Sequence, residues 1–424
     1  MVYAILVVCL IIGVPVAFSI VAALMYFMAV GAFPYHLRIV ATQMFGGLQS
    51  YPLLAIPLFI LAGELMNESG ITGRIIAFTN IFVGRLRAGL ALVNIWASVI
   101  FAGLSGSAVA DTSAIGRVFI PEMEKRGYPR DFSAAITAAS SVIGPIIPPS
   151  IPVIIYALIV TGVSVPAMFL GGVVPGILLA IFLSAYVMIF AGHYEKRDEP
   201  DKTFGHKRGI LLQGIIPLLM PVFVVGSILF GVVTPTEAAS FAVAYALIVG
   251  LFLFRELKWT ALPKIFAKSM RDSAVIMVVM CTVAAANWLM TYNRIPNMIT
   301  DFALNFMTAK WMFLVSSMTL FLFVGLFLEG IAAMLVLVPI LHPIAVSMGI
   351  DPVHFGILVV FNLMIGLITP PMGLCLFVAD SIADVGLGRL TRQIIPLFFV
   401  ELLALIVISI FPVTVIGLPR FFGF

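Results

Sequence analysis

Two heptapeptides set the terms for this chain. GPIIPPS at 144–150 and GLITPPM at 366–372 each place a glycine and two adjacent prolines inside a run that otherwise reads as one apolar helix. Proline removes an amide donor and collides with the preceding turn, so a helix interior should not hold such a pair. The two lie 222 residues apart, and at that offset the flanking glycines and prolines match without a gap. Gly103 falls on Gly325, Pro121 on Pro343, Gly127 on Gly349, Gly144 on Gly366, Pro148 on Pro370, Pro149 on Pro371 and Ala157 on Ala379. Most are helix punctuators, the residues that backbone geometry constrains hardest. The chain is therefore expected to contain an internal repeat.

Composition fixes the surroundings. Apolar residues make up 62% of the 424 and charged ones 10%, and mean hydropathy is +1.20, too little polar surface for a soluble core of this size. Apolar runs of about 20 residues recur throughout, which implies a multi-pass, all-α membrane protein rather than a barrel of short alternating strands. The first 37 residues carry no Asp, Glu, Lys or Arg, and 2–31 is expected to stay in the membrane, crossing once or folding back at Gly13 and Pro15. The three cysteines and five histidines share no ligand spacing, so neither a disulfide framework nor a metal cluster is expected. No phosphate-binding Gly-Lys-Ser/Thr loop occurs, which excludes ATP hydrolysis of that kind. The net charge of +4 rests on loop residues and suits membrane topology better than nucleic-acid binding.

The elements repeat as well. Repeat one (1–191) is expected to hold a re-entrant hairpin at 88–124 and a broken helix at 131–160. Residues 192–235 supply a loop and a linking helix. Repeat two (236–424) holds a hairpin at 311–347 and a broken helix at 352–380. Four further amphipathic stretches, 37–50, 72–87, 257–270 and 296–306, read as interfacial arms, and 273–289 as a separate helix. Four crossings per repeat plus one linker turn the second repeat upside down, as in many secondary transporters. Basic residues then gather on one face, expected to be cytoplasmic: Lys196, Arg197, Lys202, Lys207, Arg208, Arg255, Lys258, Lys264, Lys268 and Arg271, with Arg85, Arg87, Lys125, Arg126, Arg130, Arg389 and Arg392. Arg38, Arg294, Lys310 and Arg420 fall on the other.

In lipid each unsatisfied backbone group costs several kcal/mol, so a helix break must be buried in protein or line a wet cavity. A lone break would be an ordinary kink; a duplicated one in inverted repeats puts free carbonyls and half-helix N-termini near the midplane. The carbonyls can coordinate a bare cation and the N-termini can face an anion. The first hairpin tip carries Ser105, Gly106 and Ser107, oxygen donors suited to a hard cation or a carboxylate, although small residues also serve helix packing. Asp111 fits two roles, cation ligand or hydrogen-bonded staple of the hairpin arms. The second tip carries Glu329 and Gly330, with gating, cation binding and simple solvation all open for Glu329. Ser140 falls on Asn362, each a turn before a break, and Thr369 adds a hydroxyl. Glu64, Asn67 and Glu237 read as interfacial or interhelical bonds, Asp380 and Asp384 as solvated.

PLLAIPLFILAGELM at 52–66, GLSGSAVADTSAIG at 103–116, SSVIGPIIPPSIPVIIYA at 140–157 and LITPPMGLCLFVA at 367–379 resemble the large membrane subunit of tripartite ATP-independent periplasmic (TRAP) transporters, over essentially the whole chain. The resemblance implies Na+-driven, elevator-type uptake of an organic anion such as sialic acid or a C4-dicarboxylate. It implies two partners, a small four-helix membrane subunit and a soluble periplasmic solute-binding protein, in the bacterial inner membrane. It implies two or more Na+ sites: one around Ser105, Ser107, Ser140, Gly144, Ile146, Pro148 and Pro149, the other around Gly325, Gly330, Asn362, Gly366, Thr369 and Met372. The solute would lie between the tips, near Ser105, Gly106, Ser107, Asp111, Glu329, Gly330, Pro149 and Pro371. Hairpins and broken helices would form the carrier, and 2–31, 166–190, 236–254 and 388–412 the scaffold. Two alternatives stand beside this. One is a single-component Na+/dicarboxylate transporter. The other is a rhomboid-like intramembrane protease, in which Gly103 to Gly106 would supply the serine and His342 or His354 the base.

Overall fold

The computed structural model describes residues 8–9, 12–30, 37–49, 51–160, 162–194, 207–294, 298–300, 309–326, 328–370 and 373–424. Most of the arm expected at 296–306, the basic residues Lys196, Arg197 and Lys202, and the candidate ligands Pro371 and Met372 lie outside these residues. Among the described residues the structure is helical throughout, with no strand.

In chain order the helices are α1 (Val16–Val30), α2 (Leu37–Gly46), α3 (Ala55–Glu68, after a 3-10 turn at Tyr51–Leu54), α4 (Ile71–Val83), α5 (Gly89–Ser105) and α6 (Ala108–Lys125). Then come α7 (Arg130–Ser141), α8 (Ile151–Ile159), α9 (Val165–Phe190), α10 (Lys207–Leu229), α11 (Pro235–Ile248, running into a π turn at Val249–Leu253) and α12 (Leu262–Tyr292). The chain ends with α13 (Lys310–Gly325), α14 (Gly330–Ser347), α15 (Pro352–Gly366), α16 (Leu374–Ala383), α17 (Leu387–Ile410) and α18 (Val413–Phe421). Six of these, among the described residues, are long and apolar enough to cross a bilayer, with mean hydropathy between 1.8 and 2.5. This is a multi-pass membrane protein.

Short polar residues punctuate the helices as their chemistry requires. Ser107, Ser150 and Ser164 cap α6, α8 and α9 by accepting the amides of Ala110, Val153 and Ala167 at 3.4, 3.3 and 3.2 Å. Thr234 and Glu237 form a reciprocal capping box on α11, which gives Glu237 a local role. Prolines at the first turns of α8, α9, α11, α12 and α15 cost nothing there, since those amides would be unpaired anyway.

The broken helices are the core. Every residue of α7 from Phe132 to Ser141, and of α15 from His354 to Gly366, is buried. By contrast α10, α11, α12 and α17 turn Val222, Phe223, Phe241, Ile248, Val275, Val278, Phe399 and Leu403 outward, an apolar girdle suited to lipid. The hairpin and break elements interlock. Helix α16 packs on α6 and α7, while α8 packs on α14 and α15, so each break's second half lies against the other half's hairpin. Helix α7 starts beside the start of α17, where Gln393 donates to Asp131 at 3.4 Å. Helix α15 starts beside its far end, where His354 Nε2 meets the Ile408 carbonyl at 3.0 Å. The two broken helices thus run in opposite directions.

Two expectations need correction. The arm at 257–270 and the helix at 273–289 are one 31-residue helix, α12. No glycine or proline follows Pro263 before Tyr292, so nothing interrupts it, and at about 1.5 Å per residue it outreaches a ~30 Å hydrocarbon core. A terminal helix, α18, follows where none was expected, packed on α9 and α15. Helices α9 and α17 have as principal neighbours each other, the helices α5, α7, α8, α15 and α16, and α18. Helix α2 is bent by 66° from the helix after it.

Candidate functional site

A cavity of about 220 Å³ opens where the two hairpin tips and the two breaks meet. Its wall takes Ser105 to Ala110 from the first tip and Glu329 and Ile331 from the second. The breaks give Pro145, Ile151, Pro152, Met364, Leu367 and Leu374, and the lateral helices Ile60, Gly63, Glu64, Asn67, Asp272 and Ile276. The first turns of four helices, α6, α8, α14 and α16, therefore face one space. Each carries the positive end of a helix dipole, and Ser107, Ser150 and Glu329 cap α6, α8 and α14.

The first tip is tightly built. Gly106 has φ +59°, a left-handed turn that glycine makes without strain. A Cβ there would stand 3.0 Å from the Pro149 carbonyl and 3.3 Å from the Ile151 amide nitrogen. The tip thus rests directly on the break's backbone. The Pro148 carbonyl faces the same hairpin, 3.7 Å from a Cβ at Gly103. Ser105 Oγ donates to Asp111 Oδ1 and accepts the Ser107 amide at 3.2 Å. Asp111 is 0% exposed, and its Oδ2 has no hydrogen-bond partner among the described residues. That oxygen occupies the space a side chain at Gly144 would need. Ser105, Gly106, Ser107, Asp111, Gly144, Pro148 and Pro149 are thus brought together.

Two of the first set point elsewhere. Ser140 lies in a buried cluster between α5 and α7: it meets Ser98 Oγ at 3.0 Å and donates to Asn94 Oδ1 at 3.2 Å, while Asn94 Nδ2 donates to Thr137 at 2.7 Å. The Ile146 carbonyl is directed at Gly172 of α9, whose missing side chain makes room for it, not at the tip.

The second half is arranged similarly but with different partners. A Cβ at Gly366 would stand 3.1 Å from the Gly325 Cα, so hairpin and break touch backbone to backbone. Asn362 donates to the Met318 carbonyl at 2.9 Å, and its buried Oδ1 has no partner among the described residues. Thr369 donates to the Ile365 carbonyl at 2.7 Å and closes its own turn. Glu329 caps α14 through the Ala332 amide at 3.2 Å and faces the cavity. Gly330 lets the tip approach α15, with Met364 Cε 3.1 Å from where its Cβ would be.

Glu64, Asn67 and Asp272 reach the cavity from the lateral helices. Glu64 pairs with Lys268 at 2.8 Å, an interhelical bond as expected, but at the cavity rim. Asp272 was passed over in the sequence, where it follows Arg271 and Lys268 at the charged start of the apolar stretch. Asn94, Ser98 and Thr137 were also missed. Thr137 stands one turn before the serine pair at 140–141, and that spacing could have marked a polar face.

Neither histidine proposed as a protease base reaches Ser105. His342 Nδ1 meets Tyr156 at 3.0 Å, His354 meets the Ile408 carbonyl, and Ser105 is engaged by Asp111.

The two hairpin tips and the two helix breaks thus meet at one cavity of a multi-pass membrane protein. The fold is shared with the Alcanivorax borkumensis YdaH transporter, at a TM-score of 0.63 and 15% identity over 88% of each chain. The family described as "Tripartite ATP-independent periplasmic transporter, DctM component" matches residues 3–414. The Vibrio cholerae sialic acid TRAP transporter large permease SiaM is 36% identical over 97% of this chain and 96% of its own. The Pseudomonas aeruginosa C4-dicarboxylate TRAP transporter large permease DctM is 35% identical over 92% and 91%. The chain belongs to the DctM family of TRAP transporter large permeases, and it is a transport subunit, not an enzyme.

Proposed function

We propose that this subunit carries an organic acid, sialic acid or a C4-dicarboxylate, across the bacterial inner membrane together with Na+. A periplasmic solute-binding protein delivers the solute, and a small four-helix subunit completes the complex. The observation that supports this most is the convergence of four helix N-termini on one cavity. Such ends attract an anion without a formal positive charge. The family match and the sialic acid and C4-dicarboxylate relatives favour an organic acid.

Two oxygen-rich points favour Na+. Asp111 Oδ2 and Asn362 Oδ1 are buried acceptors without a donor, one in each half, and each stands by a break. A hard cation with carbonyl and carboxylate ligands would satisfy both. Ser105, Asp111 and the Pro148 and Pro149 carbonyls would hold one Na+, Asn362 and the backbone around Gly325 and Gly366 another.

The antiparallel course of α7 and α15, with the exchanged packing of α8 and α16, supports reading 1–191 and 236–424 as inverted repeats joined by 192–235. The carrier of an elevator would then be both hairpins, both broken helices, α9 and α17. Helices α1, α3, α11 and α12 would form the scaffold it slides along. Residues Arg87, Arg130 and Arg389 would mark the cytoplasmic face.

Reconstitution of the chain with its small subunit and binding protein tests this. Uptake of labelled sialic acid or a C4-dicarboxylate should require an inward Na+ gradient. Equal uptake with choline in place of Na+ would refute the coupling. Equal uptake without the binding protein would favour a single-component transporter.

A further inference from the structure

The cavity wall carries two kinds of chemistry. The first turns of α6, α8, α14 and α16 contribute partial positive charge. The part built by α3 and α12 contributes acceptors instead. Ile60, Gly63, Glu64 and Asn67 fall at the i, i+3, i+4, i+7 spacing of one helix face, and this single stripe of α3 lines the space. Gly63 sets the stripe against the first tip: a Cβ there would stand 3.3 Å from both the Cα and the carbonyl oxygen of Ser105. Glu64 and Asn67 are thereby held beside the tip. Asp272, on α12, completes the wall, and α12 packs on α3.

This wall is short of donors. Asn67 Oδ1 is buried and has no hydrogen-bond partner among the described residues, and an acceptor left open in this way costs free energy that a donor would recover. Asp272 is exposed to solvent. The donors nearby are already spent. Lys268 Nζ is bonded to Glu64 at 2.8 Å and does not line the cavity. Ser105 gives its hydrogen to Asp111. A solute whose carboxylate faces the helix ends turns its remainder to Glu64, Asn67 and Asp272. Hydroxyl or amide N–H groups on that remainder would supply the missing donors. A second carboxylate would bring only further acceptors, and would stand against like charges.

We propose that Glu64, Asn67 and Asp272 form a specificity subsite for the far end of the solute. It selects a monoanion bearing hydroxyl or amide donors, an acid of the sugar-acid type, over a dicarboxylate. The subsite rests on the reading of the cavity as an organic-acid site, and it decides between the two solute classes which that reading leaves open.

The purified complex of this chain with its small subunit, without the binding protein, reports the subsite's own choice. Its unfolding temperature is titrated with gluconate, sialic acid and succinate as sodium salts, at constant total Na+ and at a pH where both succinate carboxyls are ionised. Gluconate and sialic acid should half-saturate at concentrations roughly tenfold or more below succinate. Asp272→Asn removes one like charge from an exposed position and should narrow that gap roughly three- to fivefold. Asn67→Leu should weaken gluconate and sialic acid roughly 2- to 10-fold and leave succinate within about twofold; the succinate response of this variant also shows that its cavity is intact. Succinate binding as tightly as the hydroxylated acids, or a gap that neither variant narrows, overturns the subsite and leaves the organic-acid reading standing. If none of the three solutes raises the unfolding temperature of the wild type, the organic-acid reading itself falls, and the subsite with it.

Discussion

Gly144→Ala probes the contact between the first break and Asp111. The added methyl would overlap Asp111 Oδ2, with Asp111 Cγ at 3.3 Å and the Ser141 carbonyl at 3.2 Å. The carbonyl cannot retreat easily, because it accepts the Gly144 amide at 3.1 Å and belongs to the turn that ends α7. The carboxylate must therefore withdraw, and its bond from Ser105 is strained with it. Overpacking of this kind costs about 1–3 kcal/mol. A cation held at this place needs Asp111 Oδ2 where it now stands beside Gly144, so the displacement is read in cation affinity. At about 1.4 kcal/mol per tenfold, cation affinity should drop roughly 5- to 150-fold. Unfolding temperature measured against NaCl concentration, with choline chloride as the reference salt, reads this directly. The NaCl midpoint should move up by that factor. Gly73→Ala is the control: nothing lies within 4 Å of its Cβ position, so in the first turn of α4 it should shift stability by no more than about 1 kcal/mol and keep the wild-type midpoint. A Gly144→Ala midpoint equal to wild type would show that Asp111 beside the break holds no cation.

Three further outcomes are expected. Gly106→Ala places a side chain at φ +59° and 3.0 Å from the Pro149 carbonyl. The left-handed turn alone costs about 1–2 kcal/mol, so both unfolding temperature and uptake should fall; unchanged uptake would separate the tip from transport. Tyr156→Phe removes a buried hydroxyl placed 3.0 Å from His342 Nδ1 and 3.1 Å from the Pro352 carbonyl. It should lower unfolding stability by about 1–2 kcal/mol without altering the NaCl midpoint. Lys268→Met breaks the pair with Glu64, whose lysine is 61% exposed, so stability should change by less than about 1 kcal/mol. The uncovered carboxylate at the rim should nonetheless weaken solute uptake, more at low NaCl than at high, in an uptake series across salt concentrations.

How much of this was legible in the sequence follows from what sequence signals measure. Gly106 and the breaks at 144–150 and 366–372 were visible because glycine and proline report backbone geometry locally. The hairpin ends came out within a residue or two, since Ser107 and Lys125 are ordinary helix boundaries. The direction of Ile146 was not legible: which way a carbonyl turns depends on Gly172, from a helix later in the chain. Ser140 was placed at the right depth, but its partners Asn94 and Ser98 come from another helix. The fused α12 was missed by giving amphipathic patterning more weight than the absence of a breaker. The packing of α9 and α17 was hidden because every face of a membrane helix is apolar, so the sequence does not distinguish a lipid neighbour from a protein one.

The charges of the cavity wall bear on the order of events. Its ionisable side chains are Glu64, Asp272 and Glu329, all acidic, with no Lys, Arg or His among the lining residues. Lys268 offsets Glu64 from the rim, and the four helix ends contribute partial positive charge, but nothing on the wall is a full cation. An organic anion entering this space meets two carboxylates that no cationic side chain within the cavity offsets, while Asp111 stands buried just behind the first tip. Attraction by helix ends falls off within a turn, so it orients a carboxylate already present more than it draws one in. Cations at the tips would change this balance. They would cancel Asp111, complete the coordination that Asn362 Oδ1 leaves open, and let the N-termini of α6 and α14 act on the solute without opposition. A wall lacking arginine and lysine is therefore a physical reason for cation-first binding, since the positive charge that other anion sites keep permanently in side chains must here arrive as an ion.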